Sequence, residues 1–106
     1  KGEKLLFSSE DAPLHIGRSS AAQVSIADPR VSRMHARIDW SNGAFALTDV
    51  SSFGTWVQFA SSDTVVPLRR SSCMLHGEGR MALGMPFGAG APTLDFRIMG
   101  SSMHLG

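Results

Sequence analysis

Apolar and polar residues alternate along most of this chain, in short runs separated by Gly, Pro, Asn, Asp and Ser. A period of two puts successive side chains on opposite faces of an extended strand, so each run reads as a strand with one buried face. "ARIDW" (36–40) sets Ala36, Ile38 and Trp40 against Arg37 and Asp39, and "AFALT" (44–48) aligns Phe45 with Leu47. Between them Asn42-Gly43 is a strong hairpin signal, because both residues tolerate positive φ. "TWVQF" (55–59) sets Thr55, Val57 and Phe59 against Trp56 and Gln58, and "TLDFRI" (93–98) aligns Leu94, Phe96 and Ile98. Shorter strands are predicted at 4–7, 14–16, 24–26, 65–68, 73–75 and 80–83. No window of about 11 residues keeps its apolar residues on a helical period. Short strands at near-regular spacing predict an all-β sandwich or barrel. The segment "GMPFGAGAP" (84–92) reads as a long connection between the last two strands, "GEGRMA" (77–82) as a turn, and the tail "GSSMHLG" as a frayed end.

The length of 106 residues fits one domain, expected over 4–98 with 1–3 and 99–106 as flexible ends. A hydrophobic share of 42% and a charged share of 18% are those of a folded chain. The net charge of +1 argues against a protein that binds nucleic acid through counterion release. Cys73 is the only cysteine, which excludes an internal disulfide and a cysteine metal cluster and fits a reducing, cytoplasmic setting. His15, His76 and His104 stand singly, without ligand spacing, so neither metal nor cofactor is expected. No apolar run approaches the roughly 18 residues of a membrane span. The chain begins at Lys1 rather than Met, and is read as a piece of a longer polypeptide whose function is to serve a neighbour.

Charge is unevenly placed. Residues 17–37 carry Arg18, Arg30, Arg33 and Arg37 against the single acid Asp28. Loops of a sandwich gather at its ends, where binding groups concentrate. Arg18 follows one predicted strand, Ser32 and Arg33 precede another, and Ser51 to Gly54 precede "TWVQF". Guanidinium forks, short hydroxyls and loop N–H groups brought together make a site for a small oxyanion such as phosphate. Arg37, on the outer face of its strand, and Arg30, after a proline turn, are expected to face solvent.

"LHIGRSS", "VSRMHARI" and "LTDVSSFGTWVQF" resemble, in order and spacing, the three signature blocks of the forkhead-associated (FHA) domain, and the resemblance covers about residues 4–98. It implies an eleven-stranded SMAD/FHA-like β-sandwich whose end loops bind phosphothreonine in a partner protein or an intramolecular segment. It assigns the phosphate clamp to Arg18, a hydroxyl donor to Ser32, added charge or backbone contact to Arg33, and completion of the cradle to Ser52. Gly17 would allow close approach, His35 would brace the Ser32 loop, Asp49 would hold loop backbone, and Gly54 and Thr55 would set the following turn. One position departs from the family pattern: Phe53 stands where the family usually has asparagine. A phosphate pocket is thus implied beside a peptide clamp that lacks its amide, with Phe53 as a peptide contact. The "SSFGTWV" form is also similar to FHA domains attached to bacterial class III nucleotide cyclases.

Two rival readings are weaker. Ser32 beside His35 invites a hydrolase, but no Gly-x-Ser-x-Gly elbow exists and no catalytic residue is assigned. "GEGRMA" matches Gly-x-Gly-x-x-Ala, yet no βαβ unit surrounds it. Trp40 and Trp56 read as packing residues rather than base-stacking platforms. The expectation is a phosphothreonine-dependent interaction module. The alternative is a phospho-independent interaction or self-association module with a degenerate clamp.

Overall fold

The computed structural model describes residues 4–88 and 90–106. Alternation becomes eleven strands: β1 (Leu5–Ser8), β2 (Leu14–Gly17), β3 (Val24–Ser25), β4 (Ala36–Ser41), β5 (Ala44–Asp49), β6 (Thr55–Phe59), β7 (Val65–Leu68), β8 (Ser72–Leu75), β9 (Glu78–Leu83), β10 (Thr93–Met99) and β11 (Ser102–Leu105). Among the described residues one 3-10 turn, Ser9–Asp11, interrupts them. One sheet has six strands in the order β1-β11-β10-β9-β6-β7, the other five in the order β3-β2-β4-β5-β8. All pairs are antiparallel except β2 with β3.

The inward positions are those the alternation marks. Leu14, Ile16, Ile38, Phe45 and Leu47 from one sheet meet Val57, Met81, Leu83, Phe96, Met103 and Leu105 from the other, all essentially buried. Burying each large apolar side chain stabilises by about 1.5–3 kcal/mol, and this layer holds the two sheets together. The β4–β5 hairpin turns on Asn42 (φ 54°) and Gly43 (φ 79°), the mirror-image turn that suits twisted strands. Trp40 meets Phe45 edge-on at 4.8 Å, as a packing residue.

Two expectations are corrected, and a third is refined. The tail is no frayed end: β11 lies between β10 and β1, with Met103 and Leu105 fully buried. Pairing on both sides satisfies its backbone groups, and its own alternation supplies the inward face. "GEGRMA" is mostly strand β9, with only Gly77 outside it. Gly79 is there because a Cβ would collide with the Gln58 carbonyl and approach Phe96 Cζ at 2.7 Å. Arg30 lies at the surface, 41% exposed, but is held there rather than left to water alone. Its guanidinium donates to both Asp28 oxygens, at 2.9 and 2.7 Å, and to the Gly90 carbonyl at 2.8 Å, fastening the 84–92 connection to the loop that leads to Ser32. These bonds hold the Asp28 carboxyl down at about 2. Arg37 does lie on the outer face, where it pairs with Asp39 at 2.7 Å.

Candidate functional site

Three connections meet at one end of the sandwich: the residues after β2, the loop before β4, and the loop between β5 and β6. Close backbone packing joins the first two. Arg18 N–H donates to the Ser32 carbonyl (2.9 Å), Ser19 N–H to the Arg33 carbonyl (3.1 Å), and His35 N–H to the Ile16 carbonyl (2.8 Å). Gly17 lies so close to this strand that a Cβ would run into the Arg33 carbonyl oxygen. Any larger residue there would push the Ser32 loop away from Arg18.

His35 is fully buried beneath the loop. Its Nδ1 accepts from Ser32 N–H at 3.0 Å, which requires a lone pair on that nitrogen, so Nε2 carries the hydrogen and donates to the Gly54 carbonyl at 2.9 Å. One neutral imidazole therefore ties the loop carrying Ser32 to the loop carrying Ser52 and Phe53. Burial pushes the ring's pKa below its ordinary value, although the Gly54 carbonyl and Asp49, with Oδ1 4.0 Å from Nε2, pull the other way.

The unfolded chain takes up the proton first, so this stabilisation is complete above about pH 6.5 and declines as pH falls below it. The slope from this one group is at most about 1.4 kcal/mol per pH unit. Urea midpoints measured from pH 7.5 down to 5 are expected to fall in the wild type and to fall less steeply in His35→Gln. Equal slopes in the two proteins would contradict the neutral brace.

The β5–β6 loop is organised around Asp49, also buried. Its Oδ1 accepts from Ser51 Oγ (2.6 Å) and Thr55 Oγ1 (2.8 Å), and its Oδ2 accepts from Arg70 N–H (2.9 Å). Ser51 Oγ in turn accepts from Gly54 N–H at 2.7 Å. Gly54 adopts φ 101°, a conformation L side chains rarely take, and this turns the chain into β6.

On this base the exposed groups converge. Ser52 N–H donates to Ser32 Oγ at 3.1 Å, leaving the Ser32 hydroxyl hydrogen to point elsewhere. Arg18 is exposed, and its Nε donates to the Val31 carbonyl at 3.0 Å, fixing the guanidinium beside Ser32 while its terminal nitrogens make no bond among the described residues. Arg18, Ser32 and Ser52 are thus one connected group, with Gly17, His35, Asp49, Gly54 and Thr55 beneath it. Arg33 and Phe53 stand exposed at the rim, Phe53 at 56%. No side-chain hydrogen bond directs Arg33 toward the group among the described residues.

Sequence reasoning missed two residues. Ser51 was named only as the start of the Ser51 to Gly54 segment, but Ser two positions after Asp in "DVSSFG" is a side-chain-capped turn signal. Arg70 lies in the β7–β8 turn, "LRRSS", remote in sequence from every signature block except through Asp49. Its Nε donates to the Ser51 carbonyl at 3.0 Å.

A family model described as the FHA domain matches residues 14–72, which hold every group of this site. The chain belongs to the FHA domain family. It is a β-sandwich interaction module, not an enzyme. Among curated proteins this FHA domain is similar to zeaxanthin epoxidase, chloroplastic, from Prunus armeniaca, at 50% identity over 42 residues, 39% of this chain and 6% of that protein. It spans under a tenth of the length of the curated relatives it matches, all three of them zeaxanthin epoxidases and none a nucleotide cyclase. Among solved structures it resembles one from a study of phosphothreonine-dependent FHA domain interactions, at 25% identity and TM-score 0.52, covering 87% of this chain and 72% of that one. It also resembles the N-terminal FHA domain of S. cerevisiae Rad53p in complex with a phosphothreonine peptide, at 18% identity and TM-score 0.53, covering 99% and 68%. No helix among the described residues is long and apolar enough to cross a membrane.

Proposed function

We propose that this FHA domain binds a phosphothreonine-containing segment at the Arg18–Ser32–Ser52 end of its sandwich. The observation that carries the reading is the braced geometry there: a guanidinium held by its Nε, a hydroxyl with a free hydrogen, and two loops locked by His35 and Asp49. Donors fixed in place before the ligand arrives favour a compact oxyanion, since little ordering remains to oppose binding. The phosphothreonine dependence named for one solved neighbour, and the phosphothreonine peptide bound to Rad53p, support threonine as the phosphorylated residue. In the zeaxanthin epoxidases the matching segment is a small part of a far longer protein, which supports a reading in which this domain serves a larger chain. The ligand then comes from that chain or from a separate protein in the same compartment.

Phe53 sets the character of the binding. An asparagine at its place would both donate to and accept from an extended peptide backbone, whereas a phenyl ring does neither. Two such bonds contribute about 0.5–1.5 kcal/mol each, so generic phosphopeptides bind roughly ten- to a hundredfold more weakly than they would with the amide. The exposed ring instead suits an apolar side chain or a folded surface beside the phosphate.

A degenerate phosphothreonine-peptide array, with unphosphorylated and phosphoserine controls, tests the reading. Binding is expected only to phosphothreonine peptides, with apolar residues enriched near the phosphate. Phe53→Asn is expected to raise affinity for generic peptides about tenfold and to erase the apolar enrichment. Equal capture of phosphorylated and unphosphorylated peptides would instead favour a phospho-independent module.

A further inference from the structure

We infer that Arg70 is a second anion-binding point beside this site, so that the partner carries an acidic group, a carboxylate or a second phosphate, close to its phosphothreonine. The inference rests on the reading of the site given above. Arg70 repeats the way Arg18 is mounted. Arg18 Nε is tied to the carbonyl of Val31, the residue before Ser32, and Arg70 Nε is tied to the carbonyl of Ser51, the residue before Ser52. The Ser52 N–H to Ser32 Oγ bond joins the two halves. The guanidinium groups therefore flank that junction from its two loops, each held by one nitrogen with its terminal nitrogens unbonded among the described residues.

Charge balance points the same way. The ion pairs of the described residues are Lys4–Asp95, Arg30–Asp28, Arg37–Asp39 and the His35–Asp49 contact, and none involves Arg18, Arg33, Arg69 or Arg70. Among the described residues Arg18, Arg33 and Arg70 thus have no acid paired with their side chains, as is also true of Arg80 and Arg97, whereas Arg30 and Arg37 each have one. Arg70 also holds a φ of 56°, where glycine or asparagine would be relaxed and a long side chain is not. Its backbone N–H is fixed there by Asp49, the residue that shapes the Ser52–Phe53 loop. A phosphate seated on Arg18 and Ser32 leaves Arg70 to a neighbouring group of the same ligand. A planar guanidinium takes a carboxylate or a phosphate in two parallel hydrogen bonds.

The test is a positional set of phosphothreonine peptides, alanine at all flanking positions except one, which carries Asp, Glu or phosphoserine in turn. Fluorescence anisotropy would read the wild type, Arg70→Gln and Arg70→Lys. The wild type is expected to gain about three- to tenfold in affinity from an acidic group at one flanking position. Phosphoserine outranking Asp and Glu there identifies a second phosphate as the group, and the reverse order identifies a carboxylate. Arg70→Gln is expected to erase the gain while binding the all-alanine peptide within about twofold of wild type, and Arg70→Lys to keep part of it. A flat wild-type profile overturns the inference, as does a preference that survives Arg70→Gln. A uniform loss for every peptide with a lowered melting temperature would make Arg70 a strut only, which Arg70→Lys checks independently of the Gln variant. Failure of the wild type to bind the all-alanine phosphopeptide at all would overturn the site reading itself, and this inference with it.

Discussion

Arg18→Ala is expected to weaken binding of phosphothreonine peptides by at least tenfold, approaching a hundredfold, with the melting temperature unchanged. Charge-assisted hydrogen bonds from a guanidinium to an oxyanion contribute about 1.5–3 kcal/mol, which sets that range. The fold is indifferent because the side chain is exposed, and water replaces the single bond from its Nε to the Val31 carbonyl. Arg18→Lys restores charge but not the planar fork, and is expected to recover binding only in part. Ser32→Ala removes one neutral donor, about 0.5–1.5 kcal/mol, and is expected to weaken binding less than Arg18→Ala. Titration calorimetry on the three variants decides it. Unchanged affinity in Arg18→Ala would remove the phosphate clamp from this end of the sandwich.

The largest stability effect is expected at Asp49. Its carboxylate accepts from Ser51 Oγ, Thr55 Oγ1 and Arg70 N–H, and removing it in Asp49→Ala leaves the buried Ser51 and Thr55 hydroxyls unpaired and frees the Arg70 N–H. Orphaned buried polar groups cost about 1–3 kcal/mol each, partly relieved by local shifts, so a total near 2–4 kcal/mol is expected. For a domain of about this size that lowers the melting temperature by roughly 8–16 °C. His35→Ala is expected to cost about 1–3 kcal/mol by the same reasoning, more than Arg18→Ala or Ser32→Ala. Thermal melts compared with the exposed-site control Phe53→Ala check both. An Asp49→Ala variant melting within about 2 °C of wild type would mean that the loop is held in another way.

Most of the sandwich was legible because period-two alternation survives in nearly every strand: Ala36, Ile38, Phe45, Leu47, Val57, Leu94 and Phe96 all point inward as their spacing predicts. The carboxyl-terminal strand was misread for a physical reason. Met103 and Leu105 alternate correctly, but four residues at a chain end fold only because β1 and β10 pair with them on both sides, and long-range pairing is invisible in a local pattern. The bonds that hold Arg30 at the surface were invisible for the same reason, since one of its partners, Gly90, lies sixty positions away. At the proposed site, the roles expected for Arg18, Ser32, Ser52 and His35 all came from the resemblance of their blocks to the FHA signatures. Arg70 was not legible, because its tie to Asp49 spans 21 positions and only the folded loops bring the two together.

The binding site itself is tested most directly by following amide resonances of the 15N-labelled domain while a short phosphothreonine peptide is added, then its dephosphorylated counterpart. The expected result is saturable shifts centred on the amides of Arg18, Ser32, Arg33, Ser52 and Phe53, together with the Arg18 Nε–H, and none with the dephosphorylated peptide. Shifts confined to the opposite end of the sandwich, around Phe59, Ala60 and Glu78, or identical responses to both peptides, would contradict a phosphate site at the Arg18 end.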